Sequence, residues 1–217
     1  MNRVLNKIRQ DKKEFITSDE LKKYCEELYC NYFRISDYLI SRGFLLSILD
    51  DIYYVKTANE INQNKLKYSF FKLLSKALEF KRINNWYFGL YTALDLLDIE
   101  YDHQENNYFY LINDKILNNQ PTNILGKTFR FLRFKNSLFD FGIVNDKTRY
   151  SDQEKTILDL IYLWEYNHMN DNRIIIEVSK ILDGISEEKI LEYSQYYPES
   201  NRKLLKKALN RLPISAH

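Results

Sequence analysis

The chain has 217 residues, of which 45% are hydrophobic and 15% aromatic. This is enough apolar material for one large packed domain or two small ones, which argues against wholesale disorder. The formal net charge of +2 is too close to zero to predict nucleic-acid binding by itself. Glycine and proline are scarce, which disfavours a glycine-rich nucleotide-binding enzyme and an all-β barrel.

The cysteines and the apolar runs indicate where the protein works. Cys25 and Cys30 are the only cysteines and do not form a Cys-x-x-Cys pattern, so we expect inert thiols in a reducing compartment. The N-terminus has no apolar signal-peptide core, and no apolar run approaches the length of a membrane span. We therefore expect a cytoplasmic protein with no membrane partner.

The first elements are helices. A short helix is predicted within Met1–Lys13. Thr17 and Glu20 have the spacing of a capping box, and Leu21 and Leu28 lie on the apolar stripe of the helix that this box opens.

A second helix is predicted to begin near Asn31 and to end at Gly43, where a left-handed residue costs little. One stripe of this helix is apolar. A different stripe carries hydrogen-bonding side chains: Asn31, Arg34, Tyr38 and Arg42.

A β-hairpin follows. The segments 44–49 and 52–56 are rich in strand-forming residues and flank Asp50-Asp51, which predicts a two-residue turn. Helix, helix, hairpin is the order of a winged helix-turn-helix, so residues 1–60 are predicted to form a DNA-binding domain of that type.

The polar stretch 57–64 is the predicted domain boundary, and residues 61–217 form the second predicted domain. It begins with a basic amphipathic helix over 65–82. Six basic residues and one acidic residue lie between Ile61 and Arg82. This helix has two interpretations, a solvated face on a linker helix or a set of phosphate contacts beside the winged helix.

The rest of the second domain mixes helices and strands. A buried helix is predicted from Trp86 to Leu97, and Ser151 with Glu154 has the spacing of a second capping box. The predicted strands cover 107–113, 128–135, 139–144 and 147–150, and the predicted helices cover 151–166, 173–182, 186–196 and 201–212. The predicted fold class is therefore α+β: an N-terminal winged helix-turn-helix, then a mixed α/β domain with a small sheet and several C-terminal helices.

No catalytic motif is evident. Gly126-Lys127-Thr128 resembles the end of a phosphate-binding loop, but Pro121 occupies the position of the required glycine and a strand, not a helix, is predicted to follow. The histidines are scattered: His103, His168 and His217. We therefore expect no catalytic residues, metal or cofactor, and no enzyme. A nuclease in residues 83–217 would require a buried cluster of carboxylates.

Three stretches together resemble a known family. They are Tyr38–Tyr54, Trp86–Leu97 and Ser151–Leu160. In their order and spacing they are similar to the AbiEi-type antitoxins, winged-helix regulators of abortive-infection type IV toxin–antitoxin systems. The likeness covers roughly Ile16 to Tyr166.

The resemblance implies a repressor that binds operator inverted repeats in its own promoter. It also implies a second domain that opposes a nucleotidyltransferase-type toxin encoded beside it, without a stable complex; a homodimer is a candidate assembly. The family often has a basic residue and a glycine at the wing tip, where this chain has Asp50-Asp51. Two carboxylates would be repelled by a phosphate backbone, so the second helix is expected to carry the contact.

In this interpretation the second helix lies in the major groove, where Arg34 could pair with guanine and Asn31 with adenine. Tyr38 faces the same base edges. The predicted phosphate contacts are Ser18, Lys22, Lys23, Arg42 and Lys56. Two alternatives remain open: Arg34 pairs with a nearby acid, Asp37 or Glu27, or the winged helix holds another protein and not DNA.

Overall fold

The computed structural model describes residues 3–101, 108–116 and 120–210. The chain is α+β and forms two compact units, Met1–Asn84 with Asn123–Lys127, and Asn85–Thr122 with Thr128–His217. Within the described ranges, no helix is both long and apolar enough to cross a membrane.

The first unit consists of short helices around a small sheet. Its elements are α1 (Arg3–Gln10), β1 (Phe15–Thr17), α2 (Ser18–Glu27), α3 (Tyr32–Ser41), β2 (Leu45–Leu49), β3 (Ile52–Val55), α4 (Ala58–Gln63) and α5 (Phe70–Phe80). The strands are antiparallel in the order β1-β3-β2. β1 was not anticipated from the sequence, because three residues are too few to show a period.

The core of this unit joins α1, α2 and α3 to the sheet. Val4, Ile8, Leu21 and Leu39 are fully buried in one cluster. Each such side chain contributes roughly 1.5–3 kcal/mol when it leaves water. The Thr17–Glu20 capping box is present, with the Glu20 amide donating to Thr17 Oγ1 at 3.1 Å. The hairpin turns at Asp50-Asp51, as the sequence predicts.

The polar stretch 57–64, predicted to be irregular, contains helix α4. Thr57 and Glu60 form a capping box, and the buried Glu60 carboxylate also accepts hydrogen bonds from Tyr54 Oη and the Lys67 amide, both at 2.8 Å. These bonds hold α4 and the chain after it against β3. The first unit therefore continues to Asn84, beyond the boundary drawn at Glu60 from the sequence.

From Trp86 onward the chain forms a mixed sheet and several helices. They are β4 (Trp86–Phe88), α6 (Leu90–Leu96), β5 (Tyr108–Asn113), β6 (Thr122–Ile124), β7 (Lys127–Arg133), the short 3-10 helix η1 (Asn136–Leu138), β8 (Ile143–Asn145), β9 (Arg149–Ser151), α7 (Gln153–Tyr166), α8 (Asp171–Ser179), α9 (Glu187–Ser194) and α10 (Glu199–Leu209). All belong to the second unit except residues 123–124 of β6 and Lys127 of β7, which are part of the first. The strand order is β6-β7-β5-β4-β9-β8, with β4 antiparallel to β5 and parallel to β9. The predicted ends at Asn107 and Leu212 lie outside the described residues, as do His103 and His217.

The helix predicted from Trp86 was wrong at its start. Residues 86–88 form the inner strand β4, and the helix begins only at Leu90, after Gly89. All three residues of β4 are buried. A strand covered on both faces shows no alternation, so its sequence cannot be told from that of a buried helix.

The N-cap of α7 differs from the prediction by one residue. Asp152, not Ser151, caps the helix by accepting from the Lys155 amide at 2.9 Å. The Ser151 hydroxyl instead lies 2.7 Å from the hydroxyl of Thr156. Glu154, expected to complete the box, bonds to the start of α9: Ser186 N–H and Lys189 Nζ both donate to it at 2.9 Å.

Candidate nucleic-acid interface

Helix α3 presents one polar face to solvent. Asn31 is its N-cap and accepts from the Arg34 amide at 3.0 Å. Ser36 and Leu39 are buried, so the helix packs inward along that stripe. Because 3.6 residues make a turn, the residues at Arg34, Asp37, Tyr38 and Ser41 point away from the core, and all are exposed.

Arg34 lies free on this face. Among the described residues its guanidinium makes no ion pair, and neither Asp37 nor Glu27 is within ion-pair distance. The Arg34 guanidinium is planar and has five N–H donors, so it can bind the edge of a base or a phosphate through two hydrogen bonds.

The other predicted contacts on α3 keep part of their hydrogen-bonding capacity. The Asn31 carbonyl oxygen is engaged by the cap, but it has a second lone pair, and its amide NH₂ makes no contact with α3. Tyr38 is 42% exposed, and its ring is 6.2 Å from that of Phe44. Arg42 is exposed at the C-cap. These side chains, with Arg34, form one continuous face.

The two lysines of α2 that are predicted to contact phosphate differ in their surroundings. Lys23 is exposed. Lys22 pairs with Asp19 at 3.2 Å, and its ammonium lies 5.6 Å from the ring of Tyr32. This contact places Lys22 beside the first turn of α3.

Ser18 and Lys56 are less accessible. The Ser18 hydroxyl is half-buried and points to Tyr53 Oη at 3.5 Å, while its amide donates to the carbonyl of Asp51. Lys56 is half-buried beyond the end of β3, where its amide donates to Phe44, just after α3. Lys56 is therefore at the C-terminal end of α3 and Ser18 is next to the hairpin turn.

The acidic hairpin turn is partly neutralised within its own unit. Lys81, at the C-cap of α5, donates to Asp51 Oδ1 at 2.8 Å and to the carbonyl of Asp50 at 3.2 Å. Lys67 and Lys76 pair with Glu14. The helix predicted over 65–82 covers only Phe70–Phe80, and ion pairs engage Lys67, Lys76 and Lys81 of the basic residues predicted to line it.

Two exposed aromatic side chains at this surface were not predicted from the sequence. Tyr29, in the turn between α2 and α3, is 99% exposed, and Phe33, in the first turn of α3, is 73% exposed. Phe33 lies off the apolar stripe formed by Tyr32, Ile35 and Leu39, which is the signal by which the sequence could have revealed it.

The second unit holds a fully buried polar cluster around Lys155 and Asp159, one turn apart on α7. The Asp159 carboxylate accepts from Tyr87 Oη at 2.8 Å and from Tyr197 Oη at 2.6 Å. Lys155 Nζ lies 3.5 Å from Asp159 Oδ1 and 3.3 Å from Tyr197 Oη. It also sits 4.6 Å from the centre of the Phe141 ring.

Burial governs the protonation of this cluster. Loss of solvent lowers the pKa of Lys155 and raises the pKa of Asp159, and burial with the nearby Asp159 carboxylate raises the pKa of both tyrosines. Because Lys155 and Asp159 are both 0% exposed, no dissolved substrate contacts them in this conformation. The geometry is that of a polar network that ties β4, α7 and the chain before α10 together.

In the part of the chain that the structure describes, no three His, Cys, Asp or Glu side chains converge in a way that could hold a metal ion. No family model matches the chain. No curated protein matches it. A solved structure, that of the RV2827C protein from Mycobacterium tuberculosis, is similar over 95% of this chain and 76% of that chain, with a TM-score of 0.51 and 12% sequence identity. At this identity the similarity shows a shared fold and nothing about activity.

Proposed function

We propose that this protein is a DNA-binding transcriptional regulator whose first unit is a winged helix-turn-helix. The observation that carries the proposal is the order α1-β1-α2-α3-β2-β3 with the strands paired β1-β3-β2. In this arrangement the helix before the hairpin is the one that enters the major groove. Here that helix is α3, and its outer face carries Arg34, Tyr38 and Arg42, all of which are exposed. Neither arginine forms an ion pair with another described residue.

The contacts divide by role. Arg34 donates to a guanine edge, Asn31 and Tyr38 face neighbouring bases, and the remaining contacts hold the phosphates. Those phosphate contacts are Ser18, Lys22, Lys23, Arg42 and Lys56. Lys81 lowers the negative charge of the hairpin turn, so the turn can approach the backbone with less repulsion than two free carboxylates would meet.

The second unit extends the proposal to an antitoxin of a type IV system. Support comes from the resemblance of its helices α6 and α7 to the AbiEi-type pattern. In this role it opposes a nucleotidyltransferase-type toxin without a stable complex. Variants that lose DNA binding through α3 should therefore still protect cells in which that toxin is expressed.

The regulator function is tested by selection from a pool of random duplexes with the full-length protein. We expect enrichment of an inverted repeat, and loss of one conserved base pair in each half-site when the selection is repeated with Arg34→Ala. A pool that stays random after repeated rounds with the wild-type protein contradicts sequence-specific binding.

A protein-interaction module is the second candidate. Tyr29 and Phe33 are the observation that favours it, because exposed aromatic side chains are enriched at protein interfaces. Under this alternative, Tyr29→Ser with Phe33→Ser abolishes binding to a partner protein, and Arg34→Ala has little effect.

A further inference from the structure

A surface cavity of about 350 Å³ lies in the first unit between the end of α1 and the end of β3. Basic side chains from separate segments line it: Arg9, Lys12, Lys13 and Lys56. Glu14 is the acidic residue at its edge, and Tyr54 contributes an aromatic wall. This volume is within the range of small-ligand sites.

The acid at this cavity is already neutralised. Glu14 accepts from the Tyr68 hydroxyl and pairs with Lys76 at 2.9 Å, and Lys67 lies 3.6 Å away. These bonds offset the effect of burial and keep the pKa of Glu14 below its ordinary value. Glu14 is therefore ionised, and its negative charge is paired with Lys67 and Lys76 and not with the basic residues of the cavity.

Three of the four cations have no counter-ion. Lys13 pairs with Glu20 at 2.7 Å. Within the described ranges, no carboxylate lies within ion-pair distance of Arg9, Lys12 or Lys56. Like charges around a concave surface focus a positive potential there.

The Arg9 side chain packs on an aromatic ring, and the backbone at Lys12 and Lys56 is fixed by hydrogen bonds. The Arg9 guanidinium lies 5.9 Å from the centre of the Phe44 ring. Lys12 has a left-handed φ of 52° in the turn that ends α1, where its amide donates to Arg9 at 3.1 Å. The Lys56 amide donates to Phe44 at 3.0 Å. The dipole of α1 favours cations at Arg9 and Lys12, which lie at its carboxyl end. It does not account for Lys56, which is not on that helix.

We infer that this cavity binds a phosphate group. Tetrahedral phosphate oxygens accept from guanidinium and ammonium donors together, and burial of the anion relieves the repulsion among the three cations. The phosphate has two possible sources, the backbone of a duplex lying along α3 or a free phosphorylated small molecule. Phe44 links the cavity to α3, because its ring contacts both Arg9 and Tyr38. Only the first source rests on the proposed function.

The first arm of the test uses inorganic tripolyphosphate. It is titrated calorimetrically at low salt into the full-length protein without DNA. The double variant Lys12→Gln/Lys56→Gln should bind it about a hundredfold more weakly than wild type, at roughly tenfold per charged hydrogen bond. The matched control is Lys65→Gln/Lys72→Gln, which removes the same charge from exposed positions of the same unit and should bind as wild type does.

The second arm measures the salt dependence of binding to a random duplex. If a backbone phosphate fills the cavity, the slope of log affinity against log salt becomes shallower by about 0.9 per lost contact in Arg9→Gln/Lys12→Gln, a pair that leaves the proposed duplex contact Lys56 in place. If the ligand is free in solution, this slope is unchanged and only tripolyphosphate binding is lost. Unchanged values in both arms overturn the inference. Tripolyphosphate binding by a protein that binds no DNA would leave the inference intact and refute the proposed function.

Discussion

Lys155 and Asp159 are a charged pair enclosed in the second unit, 3.5 Å apart. Each is enclosed, and the cluster is completed by the hydroxyls of Tyr87 and Tyr197. The Lys155 side chain also requires the glycine at 142, where an added Cβ would lie 2.7 Å from Lys155 Cβ and φ is +63°. A side chain at position 142 would therefore displace Lys155 within this network.

We predict that Asp159→Asn lowers the free energy of unfolding by about 3–5 kcal/mol, because it leaves the Lys155 ammonium buried without a carboxylate. The double variant Lys155→Met/Asp159→Leu should be more stable than Asp159→Asn, since neither charge remains. Urea denaturation followed by circular dichroism gives both values. A single variant as stable as wild type would show that Lys155 does not depend on Asp159.

Arg34 is the residue on which base recognition depends. On the selected sequence, Arg34→Ala should weaken binding by about 1–3 kcal/mol and remove the preference at one base pair, whereas on random duplex the loss should be smaller. Fluorescence anisotropy with the two duplexes measures the difference. Lys206→Ala, which removes an exposed positive charge from α10, is the control. Equal losses on both duplexes would mean that Arg34 contacts phosphate and reads no base.

At the scale of elements, single acidic side chains hold helices in place. Glu60 fixes α4 to β3, and Glu154 fixes the start of α9 to α7. Both carboxylates accept backbone and side-chain donors, which outweigh the effect of burial, so both have a pKa below the ordinary value of 4.5. A carboxyl group with a lowered pKa in the folded state stabilises the fold above its unfolded pKa and stops doing so as the pH falls.

Glu154→Gln should therefore reduce the free energy of unfolding at pH 7, because Ser186 N–H and Lys189 lose a charged acceptor. The difference from wild type should shrink as the pH falls below about 4.5, through the lowered pKa of Glu154. Urea denaturation of wild type and Glu154→Gln at a series of pH values below 7 measures this difference in the free energy of unfolding. A difference that stays constant with pH would mean that the ionised carboxylate is not the stabilising form.

Across the whole molecule, the sequence predicted features that local chemistry determines. The Thr17–Glu20 box and the turn at Asp50-Asp51 depend on residues within a few positions of each other, and both are present. Thr57 and Glu60 have the same capping-box spacing and open α4, but the polar composition of residues 57–64 favoured an irregular segment. Capping boxes and turns can therefore be predicted from residues that are close in the sequence.

Features that depend on distant partners could not be predicted. The strand at Trp86 is a strand because β5 and β9 flank it. The Lys155–Asp159 network needs Tyr87 from one side and Tyr197 from the other. The phosphate cavity joins Arg9 and Lys12 to Lys56, which are separated by two helices and a hairpin. In the candidate interface, helical periodicity predicted which face of α3 is exposed. It could not predict that Lys56 lies at the C-terminal end of α3.

The salt dependence of duplex binding by the full-length protein tests the central claim most directly. Four cationic phosphate contacts per protomer predict a slope of about −3 to −4 in log affinity against log salt, or roughly a hundredfold loss of affinity between 50 and 200 mM. A protein-interaction module would hold its partner through apolar contacts such as Tyr29 and Phe33 and would be nearly insensitive to salt. No measurable duplex binding at low salt, or binding that changes less than about threefold over this range, would contradict the account.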